Sequence, residues 1–353
     1  MKILILPGDG IGPEIMAATR AALDALNGKH GLKLDFEERA IGLASLEAEG
    51  STLPDAVIEA IEAADGTIVG PVHTLAYPPA DEGGVNPSAT MRKRFDLYAN
   101  IRPSRARPGV PAMTPDMDLV IARENTEGFY ADRNMFSGSG ELMPTEDVAL
   151  SVRKITAQGS RRIAETAFEL AARRRGKVTM VHKANVLKVS DGLFRDTVLD
   201  VAKSHPGVEL DEVLVDAMAA LLVRTPEAFD VVLTTNMFGD ILSDEAAELS
   251  GGLGLGGSLN AGGDHAIAQA AHGSAPDIAG KGIANPAALM VSAAMLLEWL
   301  GARHGRDDLV AAAAAFNAAI DTVLSDPANH TPDLGGKAST ADMGRAVAAE
   351  ISK

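Results

Sequence analysis

The sequence predicts an α/β protein in which one large, mostly parallel sheet is flanked by helices. Patterns typical of strands and helices alternate along the chain, beginning with a strand over Lys2 to Leu6 and a helix over Ile15 to Leu26. The run from Val231 to Leu233 is apolar, rich in valine and bounded by turn residues, as in buried strands of parallel sheets. At 353 residues, the chain is long enough for two domains or one large one.

The composition excludes several functional classes. Acidic residues outnumber basic residues by 48 to 32, which gives a formal net charge of −16 and disfavours binding to duplex nucleic acid. The sequence has no cysteine, so disulfides, thiolate catalysis and cysteine-ligated metals are excluded. It shows neither a signal-peptide pattern nor an apolar run that could span a bilayer, and we therefore expect a cytoplasmic protein without membrane contacts.

Two glycine-rich stretches approach the dinucleotide-binding fingerprint GxGxxG. After Gly8 and Gly10, the third glycine position is held by Pro13, which makes this match weak. The stretch from Gly252 to Gly257 fits the pattern in full, but it follows a helical pattern where the fingerprint requires a strand. We interpret the second stretch as a flexible turn.

A loop rich in proline and glycine, residues 70–88, leads into a charged helix that the pattern extends through MRKRFDLYANIRP. Loops of this length in compact domains are functional or disordered, and we favour a functional role. Arg92 lies in the helix, Arg102 at its exit, and Arg123 after the next strand. Because guanidinium groups bind carboxylates bidentately, the three arginines predict a carboxylate-binding site, with solvated surface arginines as the alternative.

Two carboxylates follow the strand at Val231. We expect a turn over Asn236 to Gly239 and a helix that begins at or near Asp240. Asp240 and Asp244 are four residues apart and therefore project from one helix face, where like charges repel by roughly 0.2 to 0.5 kcal/mol. A shared hard cation such as Mg²⁺ or Mn²⁺ would remove this repulsion. The alternative is an N-cap at Asp240 and a solvated side chain at Asp244.

Other polar residues also follow predicted strands. Lys183 comes after the strand that ends near Val181, and Asp216 comes after Val215. Parallel sheets expose functional groups at this edge, although a helix cap or a surface charge is the alternative for each residue. The loop HGSAPDIAGKGIANP has small residues that allow a close backbone approach to a phosphate-bearing cofactor.

Several segments together resemble the β-decarboxylating dehydrogenases, the family of 3-isopropylmalate, isocitrate, homoisocitrate and tartrate/D-malate dehydrogenases. In the family's order and across nearly the whole chain, these segments are PGDGIGPEI, RKRFDLYANIRP, RENTEGFY, VHKANVLK, VDAMAALLV, TTNMFGDILSDEA, HGSAPDIAGKGIANP and TPDLGGKAST. The resemblance implies the two-domain isocitrate/isopropylmalate dehydrogenase-like fold, which is not a Rossmann fold. Residues 1–98 and 250–353 would form a cofactor-binding domain, and residues 99–249 a dimerisation and catalytic domain.

The resemblance also implies an activity, the NAD-dependent oxidative decarboxylation of a 3-substituted malate with Mg²⁺ or Mn²⁺. It implies two catalytic residues, a base at Lys183 and a proton donor or relay at Tyr130. The implied substrate ligands are Arg92, Arg102, Arg123 and Ser88, and the implied metal ligands are Asp216, Asp240 and Asp244. In this family Lys183 and Asp216 enter the active site of the partner subunit, so an obligate homodimer is implied.

The implied cofactor residues lie mainly in one loop. They are Asn185, His272, Gly273, Ser274, Ala275, Asp277, Ile278 and Asn285. At the adenosine-ribose position, Asp277 would accept hydrogen bonds from the ribose hydroxyls and repel a 2′-phosphate, which favours NAD over NADP. The neighbouring Ile278 offers no positive charge to offset that repulsion.

The sequence departs from the family where the substrate's C3 substituent is recognised. Isopropylmalate enzymes carry leucines there, isocitrate enzymes carry a serine and an asparagine, and this chain carries Val85, Asn86, Ser88 and Ala89. The substrate therefore stays open among isopropylmalate, isocitrate, homoisocitrate, tartrate and D-malate. Gln269 replaces an acidic residue of most relatives, so we expect an altered contact to the cofactor's ribose. The unusual segment from Asp132 to Glu146 is expected to shape the dimer contact.

Two functions of other classes make different predictions for the sequence. A non-catalytic regulatory subunit of a hetero-oligomeric dehydrogenase predicts the loss of Tyr130, Lys183 or a metal aspartate, and the chain retains them all. A metal-dependent oxidoreductase that acts on a phosphorylated substrate through histidine ligands predicts a histidine cluster, which the sequence lacks.

Overall fold

The computed structural model describes residues 1–130, 135 and 138–353. In this part of the chain the strands are β1 (Lys2–Leu6), β2 (Asp35–Glu38), β3 (Gly66–Val69), β4 (Ala99–Arg105), β5 (Asp118–Glu124), β6 (Glu141–Thr145), β7 (Val148–Ser151), β8 (Lys177–His182), β9 (Glu209–Leu214), β10 (Val231–Thr234), β11 (Leu259–Ala261) and β12 (Ala266–Gln269). The helices of the same residues are α1 (Gly12–His30), α2 (Leu43–Glu49), α3 (Asp55–Ala63), α4 (Pro87–Arg94), α5 (Ala157–Ala172), α6 (Ser190–Ala202), α7 (Val215–Arg224), α8 (Asn236–Leu249), α9 (Ala287–His304), α10 (Asp307–Leu324) and α11 (Thr340–Ser352).

Among the described residues, ten strands form one sheet in the order β2-β1-β3-β12-β11-β4-β5-β10-β8-β9. Most neighbours are parallel; the antiparallel pairs join β11 to β12, β11 to β4, and β4 to β5. The predicted mostly parallel α/β sheet is therefore confirmed. Strands from residues 1–98 and 250–353 occupy one half of the sheet and strands from residues 99–249 the other. The division into two domains stays a prediction.

Both faces of the sheet are covered by helices. Successive side chains of a strand point to opposite faces and therefore enter different hydrophobic cores. In β1, Ile3 and Ile5 pack with the core under α1, α9, α10 and α11, whereas Leu4 and Leu6 pack with the core on the opposite face. In β10, Val231 and Leu233 pack in the core beside α5 and α6, whereas Val232 packs in the core beside α7 and α8. This explains the uninterrupted apolar runs Ile3 to Leu6 in β1 and Val231 to Leu233 in β10.

The predicted extension of the charged helix through Arg102 was wrong. Helix α4 ends at Arg94, and strand β4 begins at Ala99. Between them Asp96 adopts a φ of 45°, in the left-handed region, and the N–H of Leu97 bonds back to the carbonyl of Arg92 at 3.0 Å. The following residues pair with β5 and β11, so sheet pairing overrides the local helical pattern.

The predicted start of the metal-carrying helix near Asp240 was also wrong. Helix α8 begins at Asn236, with Thr235 in extended backbone conformation as its N-cap residue. Gly239 does not mark a turn but lies within the helix, where a Cβ would sit 2.6 Å from the Cγ of Arg123. Asp240 therefore lies in the second helical turn, which excludes the alternative in which Asp240 is the N-cap.

Strands β6 and β7 form a separate two-stranded antiparallel hairpin. All of its residues are exposed, including the apolar side chains of Leu142, Met143 and Leu150. Part of the predicted segment from Asp132 to Glu146 lies outside the described residues, and its remaining end belongs to this hairpin. Within the described chain, no helix is long and apolar enough to cross a bilayer.

Candidate active site

Arg123 lies at the carboxyl-terminal end of β5, and its side chain is 1% exposed. Its Nε and Nη2 donate to Oδ1 of Asn236 at 3.0 and 2.6 Å, and its Nη1 pairs with Asp240. Strand β10 is the parallel neighbour of β5, and Thr234 lies opposite Arg123. Because α8 begins two residues after Thr234, its first turn lies beside the guanidinium group. The arginine is thus buried in a fixed position, with one edge held by α8.

Arg102 approaches the same helix from β4. Its Nε donates to Asn100 at 2.7 Å, and its Nη1 donates to Ser243 at 2.8 Å. The same Nη1 lies 3.3 Å from Oδ1 of Asp240 and 3.2 Å from Oδ1 of Asp244. One cationic nitrogen is therefore shared by both carboxylates, whose oxygens converge on one point.

The phenol of Tyr130 completes this group by donating to Oδ2 of Asp240 at 3.0 Å. Burial by itself raises the pKa of Asp240, but the charges of Arg123 and Arg102 and the Tyr130 hydrogen bond outweigh it, so the pKa lies below its ordinary value. Burial and the neighbouring Asp240 raise the pKa of Asp244, against the opposing arginines. Asp240 is therefore held as the anion.

The metal ion expected from the sequence would need oxygen ligands. The convergence of Asp240 and Asp244 on one cationic nitrogen fits two such ligands for a hard divalent cation. The third expected ligand, Asp216, does not join them: in the described residues no group of three histidine, aspartate or glutamate side chains is arranged to hold a metal. A single chain thus supplies two of the three expected ligands in one place.

Asp216 pairs instead with Lys183. Strands β8 and β9 are parallel neighbours, with His182 opposite Leu214, so the residues that follow the two strands emerge side by side. The Nζ of Lys183 lies 2.5 Å from Oδ1 of Asp216, and this hydrogen bond lowers the pKa of Asp216. Asn185 lies exposed on the same turn as Lys183.

Helix α4 contributes the two remaining predicted substrate residues. Arg92 lies in its last turn, and its positive charge adds to the lowering of the pKa of Asp240. Ser88 lies in the first turn, where its Oγ accepts a hydrogen bond from Nε2 of Gln269 at 3.2 Å. Gln269, the residue that departs from the family pattern, therefore contacts a predicted substrate residue.

The predicted cofactor loop borders an open pocket of about 630 Å³. The lining residues are Ile11, Leu253, Gly254, His272, Gly273, Ala275, Ile278, Ile283, Ala284, Asn285, Pro332 and Asp333. Ser274 is buried and accepts a hydrogen bond through its carbonyl from the N–H of Ile11 at 2.9 Å, which packs the loop against the first glycine turn. Asp277 is exposed between two lining residues, Ala275 and Ile278.

The polar atoms of this pocket fit a bound cofactor. Nε2 of His272 is buried without a hydrogen-bond partner, and burial lowers the pKa of this imidazole. Asn285 donates to Asp333 at 3.0 Å, and Asp333 also accepts from Thr331 at 2.5 Å. The pocket lining thus includes a neutral imidazole with an unpaired ring nitrogen and, as an acidic wall, the carboxylate of Asp333.

Two parts of the pocket were missed as site residues. Gly254 belongs to the stretch GLGLGG, which follows α8 as expected, but it also lines the pocket. A Cβ at this position would lie 2.6 Å from Oδ2 of Asp333. Asp333 lies in TPDLGGKAST, a segment quoted for the resemblance, so the signal was present in the sequence. Only the fold brings these distant segments to the loop at His272.

Comparison with known proteins gives a consistent result. A family model described as isocitrate/isopropylmalate dehydrogenase matches residues 2–347. The chain belongs to the isocitrate/isopropylmalate dehydrogenase family. It is 42% identical to a 3-isopropylmalate dehydrogenase of Methanothermobacter thermautotrophicus over 100% of this chain and 98% of that protein. It is 43% identical to an isocitrate/homoisocitrate dehydrogenase of Thermus thermophilus over 98% of this chain and 97% of that protein.

A crystal structure of isocitrate dehydrogenase from Methylococcus capsulatus superimposes with a TM-score of 0.87 at 40% identity, covering 100% of this chain and 99% of that one. The predicted family and its fold are therefore confirmed. Membership in the isocitrate/isopropylmalate dehydrogenase family makes the chain an oxidoreductase, a dehydrogenase acting on hydroxy acids. Members of this family bind small carboxylate substrates and generally depend on NAD and a divalent metal.

Replacing Asn236 tests the support of the buried arginine. We expect Asn236→Ala to lower the free energy of unfolding by about 2 to 4 kcal/mol, because two N–H groups of the buried Arg123 lose their acceptor. Urea denaturation followed by circular dichroism measures this loss. Asn317→Ala is the control, since that half-buried amide donates only within α10, and its cost should stay below about 1 kcal/mol. Equal losses in the two variants would contradict the prediction.

Proposed function

We propose that this chain catalyses the NAD-dependent oxidative decarboxylation of a 3-substituted malate to a 2-oxo acid and CO₂, with Mg²⁺ or Mn²⁺. The observation that carries the proposal is the convergence of Arg102, Arg123 and Tyr130 on Asp240. It brings carboxylate-binding cations, a phenol that donates a proton and an oxygen ligand for a hard cation to one place.

The arginines bind the carboxylates of a di- or tricarboxylic acid, and their burial makes the geometry of the clamp rigid. When bound, the divalent ion supplies a Lewis acid beside the C2 oxygen, and NAD supplies the hydride acceptor. Lys183 takes the proton of the C2 hydroxyl. Tyr130 donates a proton to C3 after CO₂ has left, and its hydrogen bond to Asp240 holds the phenol in place for this step.

Asp216, Asp240 and Asp244 are the proposed metal ligands. Lys183 and Asp216 are paired with each other and do not join the other two aspartates in one chain. We therefore propose a homodimer in which each subunit supplies this pair to the active site of the other.

The exposed apolar surface supports a dimer. Leu142, Met143 and Leu150 of the hairpin are between 50% and 65% exposed, as are Val223 of α7 and Ile241 of α8. Exposed apolar side chains on these three elements of residues 99–249 support a subunit interface on that part of the chain. The two-domain division at residues 98 and 250 and a location in the cytoplasm belong to the same proposal.

For the cofactor, the pocket at His272 supports NAD. The proposed contacts are His272, Gly273, Ser274, Ala275, Asp277, Ile278 and Asn285, with Asn185 at the nicotinamide. The acidic wall formed by Asp333 beside Asn285 adds to the argument from Asp277, because both carboxylates oppose a 2′-phosphate. The pocket's lining residues include neither arginine nor lysine, as expected of an NAD site.

The contact between Ser88 and Gln269 bears on the substrate. Nε2 of Gln269 donates to the serine oxygen at 3.2 Å, and the serine hydroxyl has Oε1 of the same amide as a distant acceptor at 3.5 Å, so a closer acceptor would take its proton. A carboxylate on C3 offers such an acceptor, whereas an isopropyl group offers none and would leave the hydroxyl with only the long contact to Gln269. We therefore propose a substrate of the isocitrate or homoisocitrate type in preference to isopropylmalate, tartrate or D-malate.

A substrate panel tests the proposed function. NAD reduction is measured with Mg²⁺ or Mn²⁺ and isopropylmalate, isocitrate, homoisocitrate, tartrate or D-malate in turn. We expect the highest kcat/KM with isocitrate or homoisocitrate, and NAD preferred over NADP. Absence of turnover on all five acids would reject the catalytic function in favour of the regulatory-subunit alternative, and equal use of NADP would reject the role of Asp277.

Ser88→Ala tests the choice of substrate. Removing the hydroxyl should lower kcat/KM for the preferred tricarboxylate about tenfold, the value of one hydrogen bond, and leave kcat/KM for isopropylmalate nearly unchanged. Ser88→Thr keeps the hydroxyl and serves as the matched control. A similar decrease for both substrates would show that the serine supports α4 and does not read the C3 substituent.

Asp240→Asn tests the metal site. The substitution removes the anion shared by Arg123, Arg102 and Tyr130, and we expect Mn²⁺ affinity, measured by calorimetry, to fall at least about 100-fold together with kcat. The circular dichroism spectrum and the molecular mass in solution should not change. Asp308→Asn, which removes an exposed carboxylate paired with Arg306, controls for the lost charge. Unchanged Mn²⁺ binding in Asp240→Asn would remove Asp240 from the site.

A further inference from the structure

A buried ion pair outside the residues assigned above joins Arg153, which follows β7, to Asp191, in the first turn of α6. The side chain of Asp191 is fully buried and that of Arg153 is 8% exposed. Taking two charges out of water is costly, and the cost is offset only when the remaining hydrogen-bonding groups are also satisfied. The other hydrogen-bond partners of Arg153 and Asp191 therefore identify the segments that this ion pair fixes in position.

Asp191 connects the pair to Lys183. Its Oδ2 accepts a hydrogen bond from the backbone N–H of Lys183 at 2.6 Å, while its other oxygen faces Arg153. Lys183 is the first residue after β8, so this bond fixes the point from which the lysine side chain leaves the edge of the sheet.

Arg153 connects the pair to α8. Its Nη2 donates to Oγ1 of Thr235 at 3.0 Å, and Thr235 is the N-cap residue of the helix that carries Asp240 and Asp244. The hydroxyl of Thr235 caps no N–H group of the helix. The guanidinium carbon also lies 5.3 Å from the ring centroid of Phe238, within the range of a cation–π contact.

The same segment lies beside Tyr130. Lys154 exchanges two backbone hydrogen bonds with Gly128, of 2.9 and 2.7 Å, two residues before the tyrosine. The guanidinium carbon of Arg153 is 6.0 Å from the ring centroid of Phe129, the residue next to Tyr130. Three segments that carry proposed catalytic groups therefore meet at one arginine.

We propose that Arg153 and Asp191 form a positioning unit, which sets the turn of Lys183, the start of α8 and the segment of Tyr130 in a single mutual arrangement. The inference rests on the proposed function, since that function assigns chemistry to the three segments. Neither residue of the unit contacts the reacting atoms. In the proposed dimer Lys183 serves the partner's site and α8 its own, so the unit aligns groups that work in two sites.

Thr235→Val tests the unit with little risk to folding, because valine keeps the volume of threonine and no helix cap is lost. Thr235→Ser is the matched variant that keeps the hydroxyl. We expect Thr235→Val to lower kcat about 10- to 100-fold while KM for substrate and NAD changes less than about threefold, as for displacement of aligned groups. Thr235→Ser should restore most of kcat, and both variants should melt within a few degrees of each other.

Hydrogen exchange gives a readout that does not depend on activity. In Thr235→Val, amides of residues 183–191 should exchange several times faster than in Thr235→Ser, although Thr235 lies on a different element. Exchange in residues 307–324 of α10 should be the same in both variants. Equal exchange at residues 183–191 in the two variants would overturn the inference. If the unaltered protein oxidised no acid, the proposed function would fail, and the exchange comparison would still decide whether Arg153 transmits position to the Lys183 turn.

Discussion

The burial of the Arg123 guanidinium is the constraint on which the rest of the site depends. A cation with 1% exposure must find its partners inside the protein, and α8 supplies them through Asn236 and Asp240. The helix can approach closely only because Gly239 has no Cβ to meet the arginine side chain. Once α8 is placed in this way, Asp240 faces Tyr130 and Arg102, and Asp244 follows one turn later.

The sheet explains how residues distant in sequence reach this helix. Strands β5, β10, β8 and β9 are consecutive parallel neighbours, so the residues that follow them emerge at one edge. Antiparallel β4 brings Arg102 to the same place from the opposite direction. A buried amide network holds that strand: Asn100 accepts from Arg102 at 2.7 Å and donates to Ser258 at 2.7 Å, which joins β4 to the residue before β11. Arg102 and Arg123 thus lie in the half of the sheet formed by residues 99–249, and Asn100 ties their strands to the other half.

Sequence patterns predicted the strands well where burial is continuous, as in β1, whose limits agree with the prediction. The errors arose where an element's local pattern was overridden by distant partners. The charged residues between Phe95 and Arg105 suggest that the preceding helix continues. The backbone around Asn100 instead pairs with strands β5 and β11. The sequence pattern predicts a turn at Gly239, because the close contact of this residue with Arg123, over 100 positions earlier, is not visible in the sequence.

The sequence by itself determined the fold class, the family and the types of group at the site, because runs of apolar residues and short motifs are local properties of the chain. Only the tertiary structure decided how these groups are combined. It placed Arg102, Arg123 and Tyr130 around Asp240, it separated the pair of Lys183 and Asp216 from Asp244, and it revealed the buried link through Arg153. The physical reason is that hydrogen bonds and charges act over a few ångströms, and residues 33 to 142 positions apart come within that distance only when the sheet has formed.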